Sequence, residues 1–117
     1  QNSPFLQVTY FDRTTALNEE RIKALLSIQD QLVWLNLSAA KNVTNDWSFI
    51  EKFSNLTKIY LSGTTINSIQ VLPIMQIEHL EVVGLYETGV DSSILSSLAT
   101  MNYLKSIYIG CLWQIFS

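Results

Sequence analysis

Few side chains in this sequence are equipped for chemistry. The one histidine, His79, follows Glu78 and precedes Glu81 by two residues, a set in which a proton could in principle be passed. A general base also needs an oriented partner and a nucleophile within hydrogen-bond reach, and none is identifiable, so these residues read as solvated charges of a turn. The one cysteine, Cys111, lies between Gly110 and Leu112 with no cation beside it to favour the thiolate, and reads as a partly buried structural residue. One Cys and one His cannot assemble a zinc cluster, and the C-x-x-C-H pattern of haem attachment is missing. So are the serine-hydrolase, zinc-protease, Walker and dinucleotide signatures. The expectation is a protein that is no enzyme and holds no cofactor.

What remains with binding potential is a set of aromatic rings, and their placement depends on the elements that carry them. The 117 residues are 48% apolar and 15% charged, enough apolar material for one continuous core and the length of one domain. A net charge of −3, with seven scattered Lys and Arg, argues against a nucleic-acid partner. No apolar run approaches the roughly 20 residues that span a bilayer, so direct membrane insertion of this segment is not expected. A start at Gln1 rather than Met is expected of a piece of a longer product, which leaves room for a signal peptide or membrane anchor outside this segment.

The organising signal is a repeat. An apolar pattern beginning at Leu32 returns at Leu56, Leu80 and Leu104, each 24 residues after the last. The units read Leu32-x-x-Leu35-x-Leu37, Leu56-x-x-Ile59-x-Leu61, Leu80-x-x-Val83-x-Leu85 and Leu104-x-x-Ile107-x-Ile109. Thr64 and Ile66 in the second unit are matched by Thr88 and Val90 in the third. This pattern resembles the leucine-rich-repeat family over roughly residues 32–115. The resemblance implies an α/β fold: a right-handed solenoid with a parallel sheet of about five strands on its concave face and short helices or irregular segments on its convex face. One such unit cannot bury its own leucines, whereas stacked units share a core.

The expected strands centre near Val8, Leu35, Ile59, Val83 and Ile107. The Thr at the turn stands where many family members place Asn, and its hydroxyl is expected to satisfy backbone groups inside the stack. The first unit departs from the pattern, with Ala40 at the Thr place and Val43 one residue late, so a small bulge is expected near Lys41 and Asn42. Trp47, Ile50 and Phe53, then Ile69 or Leu72 with Ile74 and Ile77, then Ile94 or Leu95 with Leu98 and Met101, are spaced for the core side of short helices. Pro73 suits a first helical turn, a 3₁₀ turn or extended chain, which leaves that segment open to irregularity.

The chain divides as a single domain over 1–117: an amino-terminal strand and helix cap at 1–31, repeats at 32–55, 56–79 and 80–103, and a partial repeat at 104–117. In the cap, Leu6, Val8 and Tyr10 alternate as a strand near 6–11 would. Asn18 before Glu19 and Glu20 starts a helix near 19–29, with Leu17 and Ile22 placed as a hydrophobic staple. The carboxyl end has no polar cap. Leu112, Trp113, Ile115 and Phe116 either fold back over the fourth repeat or meet the same edge of a second copy in a homodimer.

Residues between the core positions of each strand share the concave face. The third place of each unit holds Tyr10, Trp34, Lys58, Val82 and Ser106; the fifth, Asp12, Asn36, Tyr60, Gly84 and Tyr108; the seventh, Thr14, Ser38, Ser62, Tyr86 and Gly110. The expected binding residues are Trp34, Lys58, Tyr60, Tyr86 and Tyr108, with Glu87 and Asp12 at the rim and a gap at Gly84. Such rings suit protein interfaces and sugar-stacking surfaces; equally, aromatics simply favour strands. Expected partners are a protein or a glycan.

Within the family, Ala24-Leu25-Leu26-Ser27-Ile28 followed by Gln31-Leu32-Val33-Trp34-Leu35-Asn36-Leu37 is similar to the leucine-rich tails of bacterial envelope proteins that carry a c-type cytochrome domain. That likeness implies an exported module, periplasmic or at the cell surface, and transfers no haem site to these residues. The alternative from another class is a structural spacer or assembly element stacking through its last repeat.

Overall fold

The structure, a computed structural model, describes residues 6–9, 16–101, 103–110 and 112–115. Tyr10, Phe11, Asp12, Thr14, Cys111 and Phe116 lie outside the described residues. The chain builds one α/β sheet in sequence order: β1 (Leu6–Thr9), β2 (Leu32–Asn36), β3 (Lys58–Tyr60), β4 (Val82–Tyr86), β5 (Ser106–Gly110) and β6 (Leu112–Ile115). The first five strands run parallel, and β6 returns antiparallel on β5. Four short helices form the crossovers: α1 (Glu19–Leu26), a 3₁₀ helix Ser48–Lys52, α2 (Ser68–Ile74) and a 3₁₀ helix Ser92–Thr100. No helix among the described residues is long and apolar enough to cross a membrane.

The register follows the repeat residue for residue. Trp34 faces Lys58, Lys58 faces Val82, and Val82 faces Ser106. Leu35, Leu37, Ile59, Leu61, Val83, Leu85 and Ile107 are all buried, in one core with Trp47, Ile50, Phe53, Ile74 and Ile77 from the crossovers. Pairing continues past the strand ends, where Leu37 and Ala39 donate to the carbonyls of Tyr60 and Ser62, and Leu61 and Gly63 donate to those of Gly84 and Tyr86. The chain then turns at a left-handed residue in each unit: Ala39 (φ 64°), Gly63 (φ 74°) and Glu87 (φ 53°). Inside these turns the hydroxyl of Thr64 donates to the Leu61 carbonyl at 2.6 Å, and that of Thr88 to the Leu85 carbonyl at 2.8 Å.

Helix starts are set locally. The Asn18 side chain accepts from the Arg21 amide, capping α1 above its two glutamates. Asn67 and Gln70 form a reciprocal capping box on α2. Asp46 and Asp91 accept from the amides of Ser48 and Ser93 at the two 3₁₀ helices. The hydroxyls of Ser93 and Ser68 also bond Asp91. Those bonds hold both carboxyls below the ordinary aspartate range, the main cause being the Ser48 backbone amide for Asp46 and the Ser93 hydroxyl for Asp91.

Several expectations need correction. The first unit is longer than 24 residues: Leu6 faces Leu32 and Val8 faces Leu35, with a register shift between Leu6 and Gln7. Gln7, not Tyr10, therefore stands beside Trp34, because the two-turn helix α1 takes up more chain than the later crossovers. The helix ends at Leu26; the first strand is described over Leu6–Thr9, and the remainder of its expected span, residues 10 and 11, lies outside the described residues. Val43 is 65% exposed rather than a late core residue, so the departure in the first unit is an exposed loop, anchored where Leu17 bridges Asn42. In α2, Ile69 is 80% exposed and Val71 is buried, Val71 standing one 24-residue step after Trp47. Pro73 lies inside a true α-helix, near its end, where the carbonyl it leaves without a donor belongs to exposed Ile69.

Candidate functional site: the open face of the sheet

One face of the sheet packs on the crossovers, and the other carries the residues placed by sequence on the concave side. Trp34, Lys58, Tyr60, Tyr86 and Tyr108 all fall on this open face and are all half-buried, flanking the buried core positions. The structure brings the rings together in two contacts. Trp34 and Tyr60 have centroids 5.5 Å apart at 55°, and Tyr86 and Tyr108 are 5.6 Å apart at 39°. Both are the tilted arrangement that ring quadrupoles favour over a face-to-face sandwich.

The expected gap at Gly84 is filled. Gly84 is buried although it lies on the open face, and a Cβ placed there would come within 2.9 Å of Cδ1 of Tyr60. The Tyr60 ring therefore rests on the backbone of the next strand. Beside it, the Ser62 hydroxyl accepts the Tyr86 amide at 3.0 Å, and the Asn36 side chain accepts the Ser38 amide at 3.0 Å. Ser62, at the seventh place of its unit, thus fixes the backbone at Tyr86 from the neighbouring unit, a role that the spacing alone does not mark. The Lys58 ammonium has no carboxylate of the described residues within salt-bridge distance. Glu87 is exposed in the turn after β4, at the rim as expected.

His79 is exposed, with Nε2 3.5 Å from Oε1 of Glu78 and its ring edge-on to Tyr103 at 5.0 Å. Glu81, the other carboxylate near it in sequence, instead approaches Lys105 at 3.8 Å. A groove of about 440 Å³ runs past Glu78 and Tyr103 between Met75, Leu80, Met101 and Leu104. Another, of about 370 Å³, lies between α1 and the 3₁₀ helix Ser48–Lys52. Neither includes a ring of the open face. No cluster of three or more His, Cys, Asp or Glu able to hold a metal ion occurs among the described residues. Comparison with protein-family models, with curated proteins and with solved structures found no match to this chain.

Proposed function

We propose that the chain is a leucine-rich-repeat solenoid, right-handed and forming one domain over 1–117, that binds a protein or glycan ligand on its open, concave face and catalyses nothing. The observation that carries this reading is the row of half-buried rings on the sheet face opposite the described helices. The 24-residue register supports the solenoid, since every unit returns the chain to the same sheet with the same residues inward. An exported bacterial setting, periplasmic or at the cell surface, follows from the likeness to leucine-rich envelope tails.

Replacing Trp34 and Tyr60 together by Ala should abolish ligand capture on arrays of displayed peptides and oligosaccharides while leaving the folded state intact. Capture that survives in the double variant would move the site elsewhere. The alternative, an assembly element stacking through its last repeat, is disfavoured by β6, whose antiparallel pairing already occupies the outer edge of β5. Solution mass decides between them: a binding module stays monomeric as concentration rises, and an assembler grows.

A further inference from the structure

On the open face, Trp34, Tyr60 and Tyr86 are spaced 26 residues apart, while neighbouring strands are in register at 24. Each ring is thus one strand over and two residues further along, a diagonal row stepping about 4.8 Å across and about 6.7 Å along the sheet. Tyr108 joins the row's far end through its contact with Tyr86. The result is a line of rings rather than a cluster.

Two features of this line bear on what it takes. Protein partners gain most from an anchoring side chain sunk in a desolvated pocket. The place where this face would drop to bare backbone, at Gly84, is already roofed by the Tyr60 ring. Among the described residues, the polar groups beside the rings are Asn36, Ser38, Ser62 and Ser106, with Val82 between them, Lys58 the one charge within the register rows and Glu87 at the rim. A charged peptide would find little to pair with. A polyhydroxylated neutral chain would find hydrogen-bonding edges beside apolar rings.

We propose, resting on the reading of this face as a ligand site, that its ligand is a neutral β-linked oligosaccharide lying along the Trp34–Tyr60–Tyr86 diagonal, and that Gly84 is the positioning residue that keeps the Tyr60 ring down on the sheet. Pyranose rings with equatorial substituents present flat C–H faces that stack on aromatic rings, while their hydroxyl edges reach the flanking Asn and Ser side chains. A methyl at residue 84 would lift the Tyr60 ring and interrupt the line. Gly84 is outside the left-handed region, so alanine there is strained by the ring and not by the backbone.

The test titrates the whole chain with cellohexaose and chitohexaose, followed by calorimetry and tryptophan fluorescence. Saturable binding is expected, reduced at least tenfold by Gly84→Ala and only a few-fold by Tyr60→Phe, which keeps the ring. If neither sugar binds, the glycan assignment is overturned; peptide capture that is lost in the Trp34→Ala, Tyr60→Ala variant would then leave the face as a protein site. If a sugar binds and Gly84→Ala binds it equally well, the role of Gly84 is overturned and the glycan assignment stands. Sugar binding indifferent to the double variant removes the face reading itself. Should Gly84→Ala fail to fold, Gly84→Ala combined with Tyr60→Ala must fold as well as Tyr60→Ala alone; if it does not, the methyl meets something other than the ring and the positioning role falls.

Discussion

The two faces of the sheet are made by the same strands one residue out of phase, and they obey different rules. On the packed face, Leu35, Leu61, Leu85 and Ile107 are fully buried and aliphatic without exception. On the open face, the neighbouring places hold Trp, Tyr, Lys, Asn, Ser, Val and Gly with no common property. The first face is fixed by the need to exclude water between sheet and crossovers, which every unit shares. The second is released from that need, so its composition is available to a ligand. What the contrast teaches is where stability and binding can be altered separately.

The sharpest break of that contrast would come from the core. Leu61→Ala or Leu85→Ala should cost about 2–5 kcal/mol in denaturant unfolding, because each opens a cavity between units. Trp34→Ala and Tyr60→Ala should each cost no more than about 1.5 kcal/mol, the usual worth of one ring contact on a sheet surface. Equal losses on the two faces would show that the open face is part of the core.

A smaller effect lies in the turns between the faces. Thr64→Val keeps the side-chain shape but removes the donor to the Leu61 carbonyl, and should cost about 0.5–1.5 kcal/mol. The matching change at Thr88, which is less buried but whose hydroxyl also accepts the Val90 amide, should cost at least as much; a smaller loss would show that burial outweighs the second bond. Ala39 shares the left-handed turn position with Gly63, so Ala39→Gly should stabilise by up to about 1 kcal/mol, read as a rise in Tm. A clear fall in Tm would mean that the Ala39 methyl contributes more packing than its backbone costs.

The smallest expected effect is on pH dependence. Asp46 and Asp91 are fully exposed side chains beside the starts of the two 3₁₀ helices, and their folded pKa lies below the usual 3.8. Their contribution to stability is present above that ordinary value and is lost as pH falls through their lower folded values. Between pH 5 and 2.5, Tm should therefore decline less in Asp91→Asn than in the parent chain. An identical decline would show that the Asp91 bonds to Ser93 and Ser68 do not favour the charged form.

Much of this molecule was legible in the sequence because it repeats. Three returns of the same apolar places located four parallel strands, separated inward from outward residues and put Trp34, Tyr60, Tyr86 and Tyr108 on one face; the alternation of Leu6, Val8 and Tyr10 located the fifth. The Asn18 helix start is equally local, set by one side chain and the amide three residues on; the Asn67 start is made the same way but was not singled out in the sequence. Spacing located the break in the first unit, near Lys41 and Asn42, but not the form that it takes. The register of β1 depends on the chain taken up by α1, and the exposure of Val43 depends on a loop that only the Leu17–Asn42 bridge defines. Nor does the sequence mark Ala39 and Glu87 as left-handed, since only Gly63 among the three carries the residue that favours that conformation. The same holds at Gly84. A missing side chain reads as a gap along one strand, and it becomes a resting place for Tyr60 only when the neighbouring strand is laid beside it at about 4.8 Å.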